Sequence, residues 1–396
     1  MIPALREEFN RNFTQQKYRD FLDSLAKACG TPIEFRVSET PCFLPKELLD
    51  RMAQYGHDLV QQLLTNPKYL RVSDKSVPPE YNVANESPRP MFASVDFGVV
   101  RDAKGGLDPK LVELQAFPTL YGYQPLSAQH YIDQYGLSKD LGIYLGGLNH
   151  DSYRKLLREL IVGNHDPEQV ILMEIDPQHQ KTLPDFLVTQ KELGIAIVDV
   201  LSLKKRGKQL YYAKNGSEIE VKRIYNRTIV DELERKGIKP PFDLREPLDV
   251  EWAGHPNWYF RISKFSIPYL SHPCVPDTWF LDENPSIPED NENYILKPLY
   301  SFAGAGIKFA PTEADIDSIP ASERHNYIIQ ERMRFAPVID TPRGRTQMEV
   351  RIMYVWPDEG QLMPVMPLIR MGRGMMMGVD HNRDLDWVGG SAGLWV

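Results

Sequence analysis

The chain has 396 residues, 42% of them hydrophobic and 25% charged, which is enough for two or three domains with their own cores. Asp and Glu outnumber Lys and Arg by 54 to 46, a formal net charge of −8, and this speaks against nucleic-acid binding, where a basic excess is usual. Cys29, Cys42 and Cys274 are far apart and form no CxxC or Cys/His metal spacing. No apolar run reaches the length of a membrane span, and the first residues are charged where a leader would be apolar. A reduced, cytoplasmic protein with no membrane or nucleic-acid partner is expected.

In chain order, residues 4–28 and 45–66 carry apolar residues at helical steps, among them Leu48, Leu49, Met52, Tyr55, Leu59 and Leu63. Residues 71–90 are polar and proline-rich, as in a loop. Residues 91–100 and 110–116 are predicted strands joined by a hairpin at Asp102–Gly106. Residues 126–162 are expected to be mostly helical, with a break at Gly146-Gly147. Strand 169–175, helix 181–193 and strand 195–200 form a βαβ unit, which favours a parallel sheet. A hairpin follows over 209–213 and 219–225, turning at Asn215-Gly216. Residues 239–258 are loop-like. Strands are predicted at 293–298, 306–309, 326–331, 348–356 and 362–370.

Four segments carry candidate chemistry. A buried strand delivers Lys297 into a small-residue loop that contains Ser301, Gly304 and Gly306. Such a loop lets backbone N–H groups converge on an anion, and the lysine adds a compact charge; an ordinary hairpin turn explains the same residues. In the second segment the strand 326–331 ends in Gln330-Glu331, where a nucleotide base would meet backbone groups, or where an edge strand simply stops. A turn centred between Lys104 and Gly105 sets Asp96 opposite Glu113, with Gln115 on the same face. Facing carboxylates are unfavourable without a cation, and Mg²⁺ suits hard oxygen ligands; a solvated surface pair is the alternative. Near the C-terminus, Arg370 leaves a strand-like run and Arg373 follows in a glycine-rich loop, where arginines would hold phosphates or carboxylates, while Met375–Met377 read as apolar packing.

Together these segments resemble the ATP-grasp superfamily over about residues 91–390. The resemblance implies ATP and Mg²⁺ as cofactors. It implies Lys264 (in RISKFSIPYL), Lys297, the loop of Ser301, Gly304 and Gly306, and Gln330-Glu331 as the nucleotide site. Arg370 would lie near the reacting phosphate, with Asp96, Glu113 and Gln115 as the magnesium set. The Asp and Glu-x-Gln strands precede the lysines, whereas the common order puts them last; this resembles the circularly permuted, glutathionylspermidine synthetase-like group. The βαβ unit, the hairpin and VKRIYNRTIVDEL are similar to the Rossmann-like (pre-ATP-grasp) substrate domain inserted in that group, which implies substrate binding by Asn226 and Arg227. Gln115 stands where the family has asparagine, and Ser94 where the permuted group has arginine.

The implied fold is thus mixed α+β and α/β: a circularly permuted ATP-grasp core with an inserted Rossmann-like domain. Its parts would be a helical region (1–90), a magnesium-ligand part (91–165), an α/β substrate domain (166–250) and an ATP-binding part (251–396). The implied activity is an ATP- and Mg-dependent ligase that joins a small-molecule or peptide carboxylate to an amine through an acyl phosphate. A phosphotransferase, or a nucleotide-binding protein without turnover, are the alternatives. Residues 1–90 carry no motif.

Overall fold

The structure is a computed structural model and describes residues 1–229, 232–233, 236–300, 306–377, 382 and 384–396. The chain opens with α1 (Pro3–Asn12) and α2 (Gln15–Cys29), followed by β1 (Cys42–Leu44), α3 (Lys46–Thr65) and α4 (Pro67–Ser73). The single helix expected over 4–28 is two, because Thr14 leaves helical dihedrals and its side chain accepts from the Lys17 N–H, capping α2. Strands β2 (Phe92–Arg101) and β3 (Leu107–Gln115) form the expected hairpin, and α5 (Tyr123–Tyr135) and α6 (His150–Ile161) follow. The break expected at Gly146-Gly147 within 126–162 is present but longer, running from residue 136 to residue 149. Gly136 ends α5 in the left-handed region at φ 63°, and the connection then pairs Gly142 with Trp395 at the sheet edge.

The middle of the chain contains β4 (Val170–Glu174), α7 (Leu183–Leu193), β5 (Ala196–Asp199), β6 (Lys204–Arg206), β7 (Gln209–Lys214), β8 (Ser217–Val221), β9 (Arg223–Asn226) and β10 (Glu251–Ala253). As the βαβ pattern predicts, β4 and β5 are parallel neighbours, in a sheet ordered β10-β9-β4-β5 whose pairs are all parallel. The predicted strand 219–225 is split at Lys222: β8 pairs with β7 in a small antiparallel sheet, while β9 crosses into the parallel one. The last third supplies β11 (Thr278–Phe280), β12 (Tyr294–Pro298), β13 (Lys308–Phe309), β14 (Tyr327–Glu331), β15 (Ile339–Thr341), β16 (Gly344–Val355), β17 (Met363–Gly372) and β18 (Gly389–Trp395). Strands β11–β14 make an antiparallel sheet ordered β11-β14-β12-β13.

The largest sheet runs β1-β18-β17-β16-β2-β3, with β15 attached to β16. It joins the two ends of the chain: β2 is hydrogen-bonded to β16, and β1 to β18. One face carries Val95, Val350, Ile352 and Ile369, which share a core with Leu49, Met52 and Ala53 of α3. Residues 46–65 therefore buttress this sheet. On the other face, Met353, Val355 and Leu368 pack into a core with α2 and α5, while the remainder of that face is polar. Among the described residues, no helix is long and apolar enough to cross a membrane.

The β2–β3 register needs two compensating features. Arg101 pairs with Leu107, so the turn centres on Lys104, and this alone would put Val112 opposite Asp96. A bulge between Asp96 and Phe97 adds Val112 to β3 and restores Asp96 opposite Glu113.

Strand β18 is seated by the Gly142 contact. A Cβ on Gly142 would lie 2.1 Å from Trp395 Cε2, and Trp395 is fixed by its Nε1–H donating to the Tyr144 carbonyl. Gly142→Ala is expected to destabilise the fold by about 1–3 kcal/mol through overpacking. A urea midpoint equal to that of the parent would contradict this account of the edge.

Candidate functional site

A cavity of about 440 Å³ lies where the large sheet, the β11–β14 sheet and the C-terminal ends of β4 and β9 meet. In an open α/β sheet, ligands bind in the crevice beyond the strand C-termini, and this cavity includes that crevice. Its walls carry Glu113, Gln115, Glu174, Arg227, Lys264, Lys297, Glu349, Arg351 and Arg370, with Phe117, Tyr259, Phe309 and Met375–Met377 as apolar surface.

Strand alternation explains the polar wall. Asp96 and Arg351 are directly opposed, as are Glu349 and Arg370, and Asp96 and Glu113. All five project from one face of β3, β2, β16 and β17. Asp96 is fully buried. Its two oxygens accept from Arg351 Nε and Nη2, each at 2.7 Å, and Oδ2 also accepts from Arg370 Nη2. Arg370 Nη2 lies 2.5 Å from Glu349 Oε1. Burial alone would raise the Asp96 carboxyl, but Arg351 and Arg370 hold it below its usual value. Glu349 goes the other way: burial pushes it up to about 7, Arg370 opposes this, and Asp96 and Glu113 add to it. Arg370 is held above its ordinary value, because Glu349, Asp96 and Glu113 outweigh its own burial.

Lys297 comes from buried β12, as expected. Its Nζ donates to Gln330 Oε1 at 2.6 Å and more weakly to the Val112 carbonyl at 3.5 Å. Burial lowers it to about 8; Glu113 opposes the shift and Lys264 adds to it. Lys264 sits on the 3₁₀ turn Lys264–Tyr269, not on a strand, and is buried at the cavity wall.

The structure gathers Glu113, Gln115, Arg227, Lys264, Lys297 and Arg370 on one cavity, whereas Asp96, Asn226, Gly306, Gln330 and Glu331 do not line it. Gln330 is buried, with its amide on Lys297 and Thr278, and does not line the cavity; Glu331 is exposed. Next to them, the Glu331 and Arg332 N–H groups donate to the Asp277 and Asn293 carbonyls. Gly306 takes φ 74°, and a Cβ there would lie 2.9 Å from Pro298, so the turn requires glycine; it too is off the cavity wall. Ser301 and Gly304 lie outside the described residues. Asn226 is buried and exchanges hydrogen bonds with the Thr228 backbone instead of facing the cavity.

Arg227 is buried between Phe117 and Phe186, its guanidinium carbon 5.2 and 5.3 Å from the ring centroids. It donates to the Pro118 carbonyl and to Thr119 Oγ1. The nearby carboxylates Asp231 and Glu232 are the ion-pair partners that sequence proximity would offer it. Glu232 is engaged by Lys236 and Gln180, and Asp231 lies outside the described residues. The Nε atoms of Arg227 and Arg370 are both buried without a hydrogen-bond partner. An orphaned donor is costly, so Arg227 and Arg370 both fit an anionic ligand.

For magnesium, Glu113 and Gln115 present oxygen donors at the cavity wall, which suits a cation that also takes phosphate oxygens. Asp96 does not fit as a ligand in this arrangement, because both its oxygens are held by guanidinium groups. Among the described residues, no group of three His, Cys, Asp or Glu side chains is poised to hold a metal.

Glu349, Arg351 and Glu174 also line the cavity and belong to none of the four candidate segments. Glu349 and Arg351 left a signal: two charges at alternate positions inside the otherwise apolar run Met348–Val355, which put both on one face of a buried strand. Glu174 ends the apolar strand β4, and its Oε1 accepts from the Ile175 N–H. Burial raises its carboxyl to about 8, with Arg227 opposing. A carboxyl raised in the folded state keeps its proton there while the unfolded chain loses it above about pH 4.5, so stability is lost as pH rises toward 8. Glu174→Gln keeps the acceptor and removes the charge. It is expected to gain on the order of 4 kcal/mol over the parent at pH 8 and almost nothing at pH 4.5. Urea unfolding at both pH values checks this; an equal difference at both would show that Glu174 does not titrate as described.

No family model matches the chain, and no curated protein matches it. Among solved structures, the chain is similar to a glutathione synthetase like-effector from Globodera pallida in its apo form. The identity is 10%, the match covers 90% of this chain and 93% of that one, and the TM-score is 0.60. Identity this low shows the fold alone: a mixed α/β architecture related to that of a glutathione synthetase-like protein.

Proposed function

We propose that the chain is an ATP- and Mg²⁺-dependent carbon–nitrogen ligase that joins a carboxylate to an amine through an acyl phosphate. The observation that carries this reading is the convergence of Lys264, Lys297, Arg227, Arg370 and Glu113 on one cavity, from segments as far apart as residues 113 and 370. Phosphoryl transfer asks a protein mainly for positioning and charge neutralisation, and these residues supply both. The likeness in fold to a glutathione synthetase-like protein supports the same class, and the pairing of β2 with β16 agrees with a permuted ATP-grasp core.

Lys264 and Lys297 would hold phosphate oxygens, and Arg370 would stabilise the group in transfer. Magnesium, when bound, supplies charge neutralisation between phosphates, and Glu113 and Gln115 are the residues that would hold it. Arg227, with its free Nε and its place beyond β9, would clamp the carboxylate of the acid. The cationic wall and the apolar surface of Phe117, Tyr259 and the methionines would keep water from a reactive acyl phosphate.

A second reading, a nucleotide-binding protein without turnover, is favoured by one observation: Asp96 is bound to arginines and not open to a cation. A phosphotransferase would use the same cavity with an alcohol acceptor. Hydroxylamine separates the three. With the acid, ATP and Mg²⁺, the ligase gives a hydroxamate and ADP. A phosphotransferase gives a stable phosphorylated product and no hydroxamate, and a binder gives no ADP. Rapid ADP release with an acid and amine pair, but never a hydroxamate, would sink the acyl-phosphate mechanism.

A further inference from the structure

Asp96, Arg351 and Arg370 come from three neighbouring strands and meet on the polar face of the large sheet. Asp96 accepts three guanidinium N–H bonds at zero exposure. A carboxylate has about four lone-pair directions, so little is left for another ligand. Arg351 meets it side-on through Nε and Nη2, the planar two-bond geometry that fixes a guanidinium in one orientation. That geometry spends two of the nitrogens of Arg351 and leaves Nη1 outside the pair. Arg370 spends only Nη2, on Asp96 and Glu349; its Nε is buried with no partner. Both arginines line the cavity, whereas Asp96 lies beneath it. The unspent donors of two adjacent guanidinium groups are thus presented by a single anchored carboxylate.

We propose that Asp96 is a positioning residue, and that Arg351 and Arg370, held by it, form a two-arginine site for an oxyanion in the cavity. The oxyanion is the phosphoryl group in transfer or the carboxylate of the acid, since both offer two acceptor oxygens to such a fork. This proposal rests on the reading of the cavity as the site of anionic substrates. Its test needs neither nucleotide nor turnover, so the two can fail separately.

The test titrates the folded chain with inorganic phosphate and, separately, with acetate, following the unfolding temperature at constant ionic strength. Mn²⁺ binding is followed in parallel by electron paramagnetic resonance. Arg351→Lys keeps the charge and loses the fork; Asp96→Asn keeps the shape and loses the anchor charge. Each is expected to weaken the anion that binds by about tenfold or more, roughly one charge-assisted hydrogen bond. The double variant should be little worse than the worse single variant, and Mn²⁺ affinity should be unchanged throughout. Phosphate or acetate as the anion affected identifies the source. Loss of Mn²⁺ affinity in Asp96→Asn with anion binding intact would make Asp96 a metal ligand and overturn the proposal. If Asp96→Asn does not fold, Arg351→Lys decides alone: parental affinity for both anions overturns it. Loss of anion binding in these variants of a chain that binds no ATP would keep the two-arginine site and remove the ligase reading.

Discussion

Arg370→Ala is expected to lower ADP formation by about 10²–10³-fold, the size seen when a preorganised charge at a reacting group is removed, while ATP affinity falls much less. The same change exposes the sheet to a structural cost. Arg370 is shared by Asp96 and Glu349, and removing one partner of a buried ion pair costs about 3–5 kcal/mol. The sign of the pH dependence follows. Glu349, already raised to about 7, loses the cation that opposes its protonation and rises further. Protonation then relieves the buried negative charge, so the variant's deficit should be smaller at pH 6 than at pH 8. Urea unfolding at both pH values and single-turnover ADP formation separate the two roles. A folded variant that turns over within tenfold of the parent would reduce Arg370 to a structural residue.

Lys297→Met is expected to weaken ATP binding by about 10–100-fold, through loss of a charge-assisted bond in a buried setting. The buried neighbours limit the structural cost: Gln330 keeps its bond to Thr278 when its lysine partner is lost. A second signature is tied to pH. With Lys297 lowered to about 8, the free protein loses this proton between about pH 7 and 9. Parental ATP affinity should therefore fall across that window, because the anion prefers the protonated lysine, and in Lys297→Met that part of the fall should vanish. Calorimetric titrations at pH 7 and pH 9 read both effects. Affinity independent of Lys297 at both values would place the phosphates away from it.

Much of the chemistry was legible because buried strands advertise themselves. Lys297 stands out in an apolar strand, and Asp96 and Glu113 in a hairpin whose register could be set from its turn. That register came out at the right pair although the turn is centred on Lys104, because the Val112 bulge adds the residue that the turn takes away. Bulges leave no composition signal, so the agreement at Asp96 owes something to two offsetting irregularities. Strand β18 was not legible: Gly389, Gly390 and Gly393 lower strand propensity. Gly393 is there for a tertiary reason, since a Cβ would lie 2.9 Å from Pro367. The splitting of 217–226 between two sheets at Lys222, and the buttressing of the site by α3, also depend on tertiary packing. The pairing of Asp96 with Arg351, 255 positions away, was beyond local pattern, though the alternation of Glu349 and Arg351 marked where to look.

The central claim is that the cavity takes ATP, and the most direct measurement is the unfolding free energy of the folded chain with and without ATP and Mg²⁺. Ligand at about 100 times its dissociation constant stabilises by about 2.7 kcal/mol. The account predicts a stabilisation that grows with ATP concentration in the parent and is largely lost in Lys297→Met. No stabilisation of the parent by ATP and Mg²⁺ up to millimolar concentration would contradict it.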